Sequence, residues 1–406
     1  MASAQTFVIV GASLAGAKAA ETLRAEGFDG RVVLIGEESE RPYERPMLSK
    51  EYLRGDKPAA RLYVHDEAFY ADNDIELLTA THVASFDPAA HEVTLQDGSR
   101  MPYSRLLLST GAAPRRLQLP GADLPGVKYL REMRDSDALR AAISTASRVV
   151  VIGAGWIGSE VAASARQLGA EVAIVAPDAV PLERVLGPEI GGVYRDLHDE
   201  HGVDLHLSTQ IEAIVGDGAA QGVRTTNLSV IEGDLVVVGV GASPRDELAR
   251  DAGLTLENGI VVDEFLRTSA EDVFAAGDVA ATWNPTYQKR IRMEHWSNAL
   301  NQGQAAARNM LGQGTAYAKL PYFYSDQYDL GMEYNGYASD WDCVVLRGDA
   351  DEREFLAFWL KDGRVLAGMN ANVWDQGDDI KALIRGGMAV NVDHLADPSV
   401  PLADLA

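Results

Sequence analysis

The pattern of apolar and polar positions repeats itself in two distant stretches of the chain. Each stretch has a short β-branched apolar run, a glycine-rich turn, a segment with apolar residues at helical spacing, and a second apolar run. The two stretches are TFVIVGASLAGAKAAETLRAEGFDGRVVLIGEE and SRVVVIGAGWIGSEVAASARQLGAEVAIVAPD. Short apolar runs of this kind predict buried strands, and the spacing between them predicts a helix. The sequence therefore predicts two βαβ units.

The glycine-rich turns of both units have the spacing of a dinucleotide-binding fingerprint. The turns contain Gly11, Ser13, Leu14, Ala15 and Gly16 in the first unit, and Gly153, Gly155, Trp156, Ile157 and Gly158 in the second. Glycines at such a turn let the backbone approach a pyrophosphate, which sits on the N–H groups at the helix start. Ser13 departs from the fingerprint, because a glycine is usual there. An ordinary strand–turn–helix is the alternative for each copy, but two copies favour two dinucleotides, a bound flavin and a visiting nicotinamide.

The residue at the end of the second strand of each unit bears on the choice of cofactor. Glu37 is placed there in the first unit and can accept hydrogen bonds from a ribose. In the second unit Ala176 occupies the expected acidic position, and Asp178 lies two residues further on. No Arg or Lys occurs from Ala176 to Leu182 to hold a 2′-phosphate, and Arg184 is the first basic residue beyond them. We therefore expect NADH rather than NADPH.

Composition narrows the class of protein. A chain of 406 residues suggests two or three domains. No stretch of about 20 apolar residues is present, so we expect no membrane span. The N-terminal apolar run lacks a basic flank and continues into a glycine turn, so we interpret it as a strand of a cytoplasmic protein rather than a signal peptide.

Charge and cysteine content exclude further classes. The 36 basic and 60 acidic residues give a net charge of −24, which disfavours nucleic acid and anionic membranes as partners. Cys343 is the only cysteine, so the chain forms no internal disulfide and no cysteine-based metal site. We expect Cys343 to be a small buried residue.

Further signals follow in a fixed order along the chain. YSRLLLSTGAAPRRL is an apolar strand that leads into a turn, GDLVVVGVGASPRDELA is a second such strand, and DVFAAGDVA ends a third. Together with RPYERPMLSK, GAGWIGSE and FYSDQYD, these signals make nearly the whole chain resemble the two-dinucleotide flavoprotein reductases. Among these it resembles the NADH-dependent ferredoxin reductases, which serve haem-thiolate monooxygenases and Rieske-type dioxygenases.

The resemblance implies an α/β fold like that of glutathione reductase. It has two Rossmann-like dinucleotide-binding domains, one for FAD and one for NADH, and a C-terminal α+β domain. The FAD-binding domain would be discontinuous, comprising residues 1–111 and 246–320. The NADH-binding domain would span 112–245, and the C-terminal domain 321–406. Within the last, FLAFWL and RVLAGM flank Lys361-Asp362-Gly363, which predicts a hairpin.

The resemblance also assigns cofactor contacts position by position. Ala15 and its neighbours would line the FAD pyrophosphate, Glu37 the ribose, and Val83 the adenine. Asp278 would bind the ribityl chain, and Trp296 would lie by the flavin ring. The other matching positions are Arg45, Thr110, Gly111, Arg115, Arg131, Gly277 and His295, with Trp156, Glu294 and Gly241 assigned to NADH. A core valine is the alternative for Val83, and a surface charge for Arg131.

Lys50 and Glu160 are the predicted catalytic residues. The family pattern brings them together beside flavin N5, where they would orient the nicotinamide and offset negative charge on the reduced flavin. Without the resemblance, the alternative is a surface lysine and a helix-start glutamate favoured by the helix dipole.

The route by which electrons leave the protein follows from a missing residue. Related flavin enzymes that act on disulfides keep a redox cysteine near position 47, where this chain has Met47. A 2Fe–2S ferredoxin is therefore the expected acceptor. Candidate docking residues are Lys289, Arg290, Arg292, Arg308 and Tyr324, although a solvated, salt-paired strand face is the alternative for KRIR. Alternative functions are an NADH oxidase or other flavin-dependent NADH dehydrogenase, and a redox-sensing protein like apoptosis-inducing factor.

Two other signals carry less weight. His198, His201 and His206 have an H-x-x-H spacing, but Gly202 ends the helix within the cluster, so we expect a solvated helix end and no metal site. Trp374 could reach the flavin pocket, although we favour a core tryptophan.

Overall fold

The computed structural model describes residues 5–405. Within these residues the strands are β1 (Thr6–Val10), β2 (Arg31–Ile35), β3 (Ile75–Leu78), β4 (Val83–Asp87), β5 (Glu92–Leu95), β6 (Arg100–Pro102), β7 (Arg105–Leu108), β8 (Ala112–Pro114), β9 (Val127–Lys128), β10 (Arg148–Ile152), β11 (Glu171–Val175), β12 (Asp204–His206), β13 (Ile211–Val215), β14 (Gly222–Thr225), β15 (Val230–Glu232), β16 (Leu235–Val238), β17 (Ala242–Pro244), β18 (Ile260–Val262), β19 (Val273–Ala275), β20 (Ala280–Asn284), β21 (Lys289–Ile291), β22 (Tyr322–Gln327), β23 (Leu330–Gly336), β24 (Cys343–Asp349), β25 (Glu354–Lys361) and β26 (Arg364–Ala371).

The helices of the same residues vary widely in length. They are α1 (Leu14–Ala25), α2 (Glu51–Arg54), α3 (Ala68–Asp72), α4 (Met133–Ile143), α5 (Trp156–Gln167), α6 (Glu183–Glu200), α7 (Glu247–Asp251), α8 (Trp296–Met310), α9 (Gly377–Gly386) and α10 (Val392–Ala396). Short 3-10 helices span Pro46–Ser49, Ala59–Arg61, Gly277–Val279 and Leu402–Leu405. No helix of the described part of the chain is both long enough and apolar enough to cross a membrane.

The chain packs into two compact units. The first contains the residues up to Glu44, Ala59–Ala113 and Ser243–Pro321. The second contains Arg45–Pro58, Pro114–Ala242 and the residues from Tyr322 onward. The second unit thus holds the second βαβ stretch and the C-terminal stretch, and it includes the segment that carries Lys50. The finer division into three domains stays a prediction.

The first unit is built on a parallel sheet in the order β19-β7-β1-β2-β3. The run TFVIV forms β1 as predicted, and Val8 pairs in register with Val33 of β2. Both faces of these strands are covered, so the strands are apolar throughout rather than alternating. The first unit also contains two three-stranded sheets, with the strand orders β4-β5-β6 and β18-β20-β21.

The second unit combines a parallel sheet and an antiparallel sheet. The parallel sheet has the order β12-β11-β10-β16-β9, and the antiparallel sheet has the order β22-β23-β26-β25-β24. The predicted hairpin is confirmed, because β25 and β26 pair around Lys361–Arg364. Helix α6 packs on the antiparallel sheet, where the fully buried Trp359 donates its indole N–H to the carbonyl of Leu186 at 3.0 Å.

Three sequence predictions were wrong about exposure. His198 is fully buried, because α6 lies against β22 and the His198 ring makes a 3.0 Å hydrogen bond with Gln327. Burial lowers the pKa of His198 to about 4. Cys343 is only half-buried, because it begins an edge strand. Trp374 is 52% exposed and lies over Gly331 at the surface of the second unit.

Candidate functional site

The backbone of the first glycine-rich turn leaves no room for a side chain at Gly11. Gly11 has a φ of +117°, and a Cβ there would lie 2.1 Å from the carbonyl oxygen of Ser109. Ser13 is the N-cap of α1 in an extended conformation, and its side chain makes no capping hydrogen bond within residues 5–405. Leu14, Ala15 and Gly16 follow as the buried first turn of α1. The turn therefore presents backbone N–H groups and a free cap position, which fits a dinucleotide pyrophosphate.

Glu37 lies two residues beyond β2 and is already engaged by basic side chains of the first unit. Its carboxylate accepts a 2.8 Å hydrogen bond from Arg245 Nη1 and lies 3.4 Å from His82 Nδ1. The turn at Gly111 positions this arginine, because Arg245 N donates to the Gly111 carbonyl at 2.9 Å and Thr110 Oγ1 donates to the Arg245 carbonyl. A ribose bound by Glu37 would share the carboxylate with Arg245.

The predicted ribityl and flavin-ring positions lie at another strand end of the first unit. Gly277 follows β19, and its N–H donates to Gln302 Oε1 at 2.8 Å. The carbonyl of Asp278 accepts from Arg292 Nη1 at 3.0 Å, and the same nitrogen contacts Glu294 at 2.7 Å. The next residues are His295, the N-cap of α8, and Trp296, its first residue.

Trp296 and His295 have buried ring nitrogens at the start of α8. The indole N–H of Trp296 is buried and has no hydrogen-bond partner among residues 5–405. Such a donor is costly unless a bound group accepts from it, which fits a cofactor at this edge. Burial lowers the pKa of His295 to about 4, although the charge of Asp278 raises it. Val83 is buried at the start of β4, which fits both interpretations of that residue.

The second glycine-rich turn has the same construction. Gly153 has a φ of +101°, and a Cβ there would lie 2.4 Å from the Gly239 carbonyl oxygen. Gly155 is the N-cap of α5 and faces open space, and Gly158 is buried in the first turn of the helix. Ile157 is 47% exposed, whereas Trp156 packs edge-on against Phe323 with ring centres 4.9 Å apart. This arrangement fits a second pyrophosphate.

Four further predicted cofactor residues lie in the second unit. Arg115 N donates to the Gly241 carbonyl at 2.9 Å, and its side chain donates to Ala242 O at 3.0 Å. Arg45 Nη1 donates to the Arg131 carbonyl at 2.6 Å, so these two predicted residues are neighbours.

Lys50 and Glu160 form a buried ion pair in the second unit. Lys50 Nζ lies 3.2 Å from Glu160 Oε1, and the two side chains are 4% and 5% exposed. Lys50 follows the 3-10 helix Pro46–Ser49, and Glu160 lies on α5, so residues 110 positions apart in the chain meet here. Lys50 Nζ also lies 5.5 Å from the centre of the Tyr324 ring. The structure therefore brings together three of the predicted functional residues.

Sequence reasoning missed the serines around this pair. Ser49 Oγ donates to Glu160 Oε2 at 2.5 Å, and Ser325 Oγ donates to Glu160 Oε1 at 2.7 Å. Ser164 Oγ donates to the Ser49 carbonyl at 2.7 Å, and Ser136 Oγ donates to the Leu48 carbonyl at 2.8 Å. A buried serine has no periodicity that distinguishes it. Ser49 and Ser325 do lie within the motifs RPYERPMLSK and FYSDQYD, whereas no sequence signal marks Ser136 or Ser164.

The predicted basic docking residues have partners within the first unit. Arg290 Nη1 donates to the Val262 carbonyl at 2.6 Å, and its Nε lies 3.6 Å from Glu257. Arg308 pairs with Glu26 at 2.9 Å, and the Arg292 side chain is only 9% exposed. These contacts fit the salt-paired alternative for KRIR, and the docking role of these residues and of Lys289 stays a prediction. Residues 5–405 hold no cluster of three or more side chains suited to a metal ion.

Comparisons with known proteins cover almost the whole chain. Residues 5–303 match the profile of the pyridine nucleotide-disulphide oxidoreductases, and residues 322–406 match a reductase C-terminal domain. The chain is 41% identical to the ferredoxin–NAD(+) reductase component of the anthranilate 1,2-dioxygenase system of Burkholderia cepacia, covering 98% of this chain and 99% of that protein. It is 40% identical to rhodocoxin reductase of Rhodococcus erythropolis, covering 98% of this chain and 93% of that protein. The reductase in the covalent putidaredoxin reductase–putidaredoxin complex has 35% identity and a TM-score of 0.95, covering 98% of this chain and 97% of that one.

Proposed function

Because the chain belongs to the pyridine nucleotide-disulphide oxidoreductase family, we propose that it is an FAD-dependent NADH:ferredoxin reductase. In this proposal it takes a hydride from NADH and passes single electrons to a 2Fe–2S ferredoxin in the cytoplasm. That ferredoxin would feed a haem-thiolate monooxygenase or a Rieske-type oxygenase. The relative from Burkholderia cepacia is named as a ferredoxin–NAD(+) reductase component, and putidaredoxin reductase was solved in a covalent complex with putidaredoxin. Both matches cover 98% of this chain and support the assignment.

The observation that carries the proposal is the buried Lys50–Glu160 pair in a chain with one cysteine. The segment that precedes α2 supplies a lysine to a water-poor site, with both charged side chains about 5% exposed or less. Cys343, the only cysteine, lies on β24 and cannot form a redox disulfide within the chain. A relay through an internal disulfide is therefore closed, and a one-electron carrier is the acceptor that we propose.

Each cofactor would be held by groups described above. The N-terminus of α1 and the turn from Gly11 to Gly16 would bind the FAD pyrophosphate, and Asp278 the ribityl chain. The N-terminus of α5 would bind the pyrophosphate of NADH. Bound FAD would supply the chemistry of accepting a hydride and releasing single electrons. The protein would position the two cofactors and supply the electrostatic environment of the flavin ring. Lys50 and Glu160 would orient the nicotinamide, and the Lys50 ammonium would offset negative charge at the reduced ring.

The preference for NADH has support from the end of β11. Arg184, the first basic residue after this strand, lies 2.9 Å from the carboxylate of Asp178 through its Nε. The guanidinium is thus already paired, and the carboxylate would repel a 2′-phosphate. We therefore propose that NADH is the donor, and we expect kcat/KM for NADH to exceed that for NADPH.

The test is reduction of cytochrome c by NADH with and without an added 2Fe–2S ferredoxin. The purified protein is first checked for flavin absorbance near ~450 nm. We expect turnover to require the ferredoxin, with little consumption of NADH when oxygen is the only acceptor. Rapid NADH consumption without ferredoxin would instead favour the oxidase alternative. A protein that binds FAD but turns over slowly with every carrier tested would favour a redox sensor.

A further inference from the structure

Glu160 has more hydrogen-bond donors than its ion pair with Lys50 requires. Ser49 Oγ and Ser325 Oγ donate to the two carboxylate oxygens at 2.5 and 2.7 Å. Lys50 Nζ is further away, at 3.2 Å. Charge-assisted N–H···O bonds are usually about 2.7–2.9 Å long, so the contact from Lys50 is the longest and weakest of the three. The two serines, rather than the lysine, fix the position of the carboxylate.

Both serines lie in rigid, dry positions. Ser49 ends the 3-10 helix that begins at Pro46, and its carbonyl is held by Ser164 Oγ at 2.7 Å. Ser325 lies within β22 and pairs with Met332 of β23. Each of the two is 2% exposed, so water does not compete for their hydroxyls. The donors therefore stay in place when the environment of Lys50 changes.

We propose that Ser49 and Ser325 are positioning residues that keep Lys50 only loosely paired. Held from both sides, the Glu160 carboxylate cannot turn fully toward the ammonium. The positive charge of Lys50 then remains available to the flavin ring that the proposed function places beside it. In a buried site, a small change in charge separation alters the interaction strongly, because little solvent screens it. The inference rests on the proposed function and adds to it the residues that set the strength of the Lys50 charge.

The experiment measures the midpoint potential of bound FAD by equilibrium reduction against a reference dye. Ser325→Ala and Ser49→Ala each remove one hydroxyl from Glu160. The matched control is Ser159→Ala, because Ser159 is also fully buried on α5 but its hydroxyl contacts only the Ala154 carbonyl, at 3.4 Å. We expect each of the two test variants to shift the reduction equilibrium tenfold toward oxidised FAD, which is about −30 mV for a two-electron couple. Ser159→Ala should keep the wild-type potential.

The same serine substitution in a Lys50→Met protein distinguishes an effect through the lysine charge from an effect on packing. If the serines act through the lysine, Ser325→Ala should cause no further shift in a Lys50→Met protein. A shift of equal size in both backgrounds would overturn the inference, and so would wild-type potentials in both serine variants. FAD content and thermal unfolding are recorded for every variant, and Ser49→Ala gives an independent reading if Ser325→Ala folds poorly. A wild type that reduces ferredoxin while the serine variants keep its potential refutes only this inference, whereas a wild type that binds no FAD refutes the proposed function.

Discussion

Removing the Lys50 ammonium should destabilise the second unit far more than removing an exposed lysine nearby. Lys50→Met leaves the Glu160 carboxylate buried at 5% exposure without its counter-ion. At 3.2 Å and an effective dielectric constant of about 20, the attraction between the two charges is about 5 kcal/mol. Breaking a buried pair by removing one partner typically costs about 3–5 kcal/mol. Because the Ser49 and Ser325 hydroxyls still donate to the carboxylate, we expect the lower end, about 3 kcal/mol.

The double variant Lys50→Met, Glu160→Gln supplies the decisive comparison. It removes both charges while leaving an amide oxygen that can accept from the hydroxyl of one serine and an amide NH2 that can donate to the hydroxyl of the other. Replacing a buried pair by neutral groups of similar volume is often close to neutral. We therefore expect the double variant to recover most of the stability that Lys50→Met loses.

Thermal unfolding at one fixed concentration of free FAD measures these differences, and the FAD affinity of each variant is used to subtract the stabilisation by the ligand. For a unit of this size, about 3 kcal/mol corresponds to a fall in Tm of roughly 6–12 °C. The control is Lys57→Met, because Lys57 pairs with Glu51 at 2.9 Å in the same segment but is 44% exposed. Surface pairs contribute about 0–1 kcal/mol, so its Tm should fall by no more than a few degrees. A double variant as unstable as Lys50→Met would refute the reasoning, since the loss could not then come from an unpaired charge.

Two further predictions concern pH and salt. Unfolded His198 takes up a proton near its ordinary pKa of 6.5, whereas the buried ring does so only near about 4, so stability is lost as the pH falls through this window. Between pH 7 and pH 5 we expect wild type to lose about 2 kcal/mol more than His198→Asn in urea unfolding; parallel losses would contradict this. If Lys289, Arg290 and Arg292 help to dock an acidic ferredoxin, raising ionic strength should raise the KM for ferredoxin by roughly tenfold. Turnover with a neutral dye should not change, and equal effects on both acceptors would count against a charged docking surface.

The sequence was most informative where a local pattern determines a local structure. The runs TFVIV and RVVLI become β1 and β2, and the hairpin around Lys361 appears between β25 and β26. In each case the signal lies within a few residues of what it predicts. The same holds for Gly11 and Gly153, whose positive φ and close backbone contacts explain why these turns require glycine.

Predictions failed where exposure depends on distant parts of the chain. His198 resembles a solvated helix end when α6 is considered alone, yet Gln327 of β22 covers it. Trp374 resembles a core residue by type, but it lies on a loop that leaves it 52% exposed. The pairing of Lys50 with Glu160 was predicted from the family pattern only, because no periodicity links residues so far apart. Neither approach predicted the role of the serines around Glu160, although Ser49 and Ser325 lie within the motifs RPYERPMLSK and FYSDQYD.

The site around Glu160 links stability and electron transfer through one physical property, its dryness. Burial makes the Lys50–Glu160 pair expensive to break. With the flavin ring beside Lys50, as we propose, the same burial would let the Lys50 charge act on that ring with little solvent screening. A carboxylate held by Lys50 alone would neutralise that charge. Ser49 and Ser325 donate neutral hydrogen bonds to the Glu160 carboxylate. The carboxylate therefore stabilises the buried Lys50 ammonium without fully cancelling its positive charge. A variant that strengthens the ion pair should therefore make the protein a weaker electron acceptor from NADH, and stability and reduction potential should move in opposite directions.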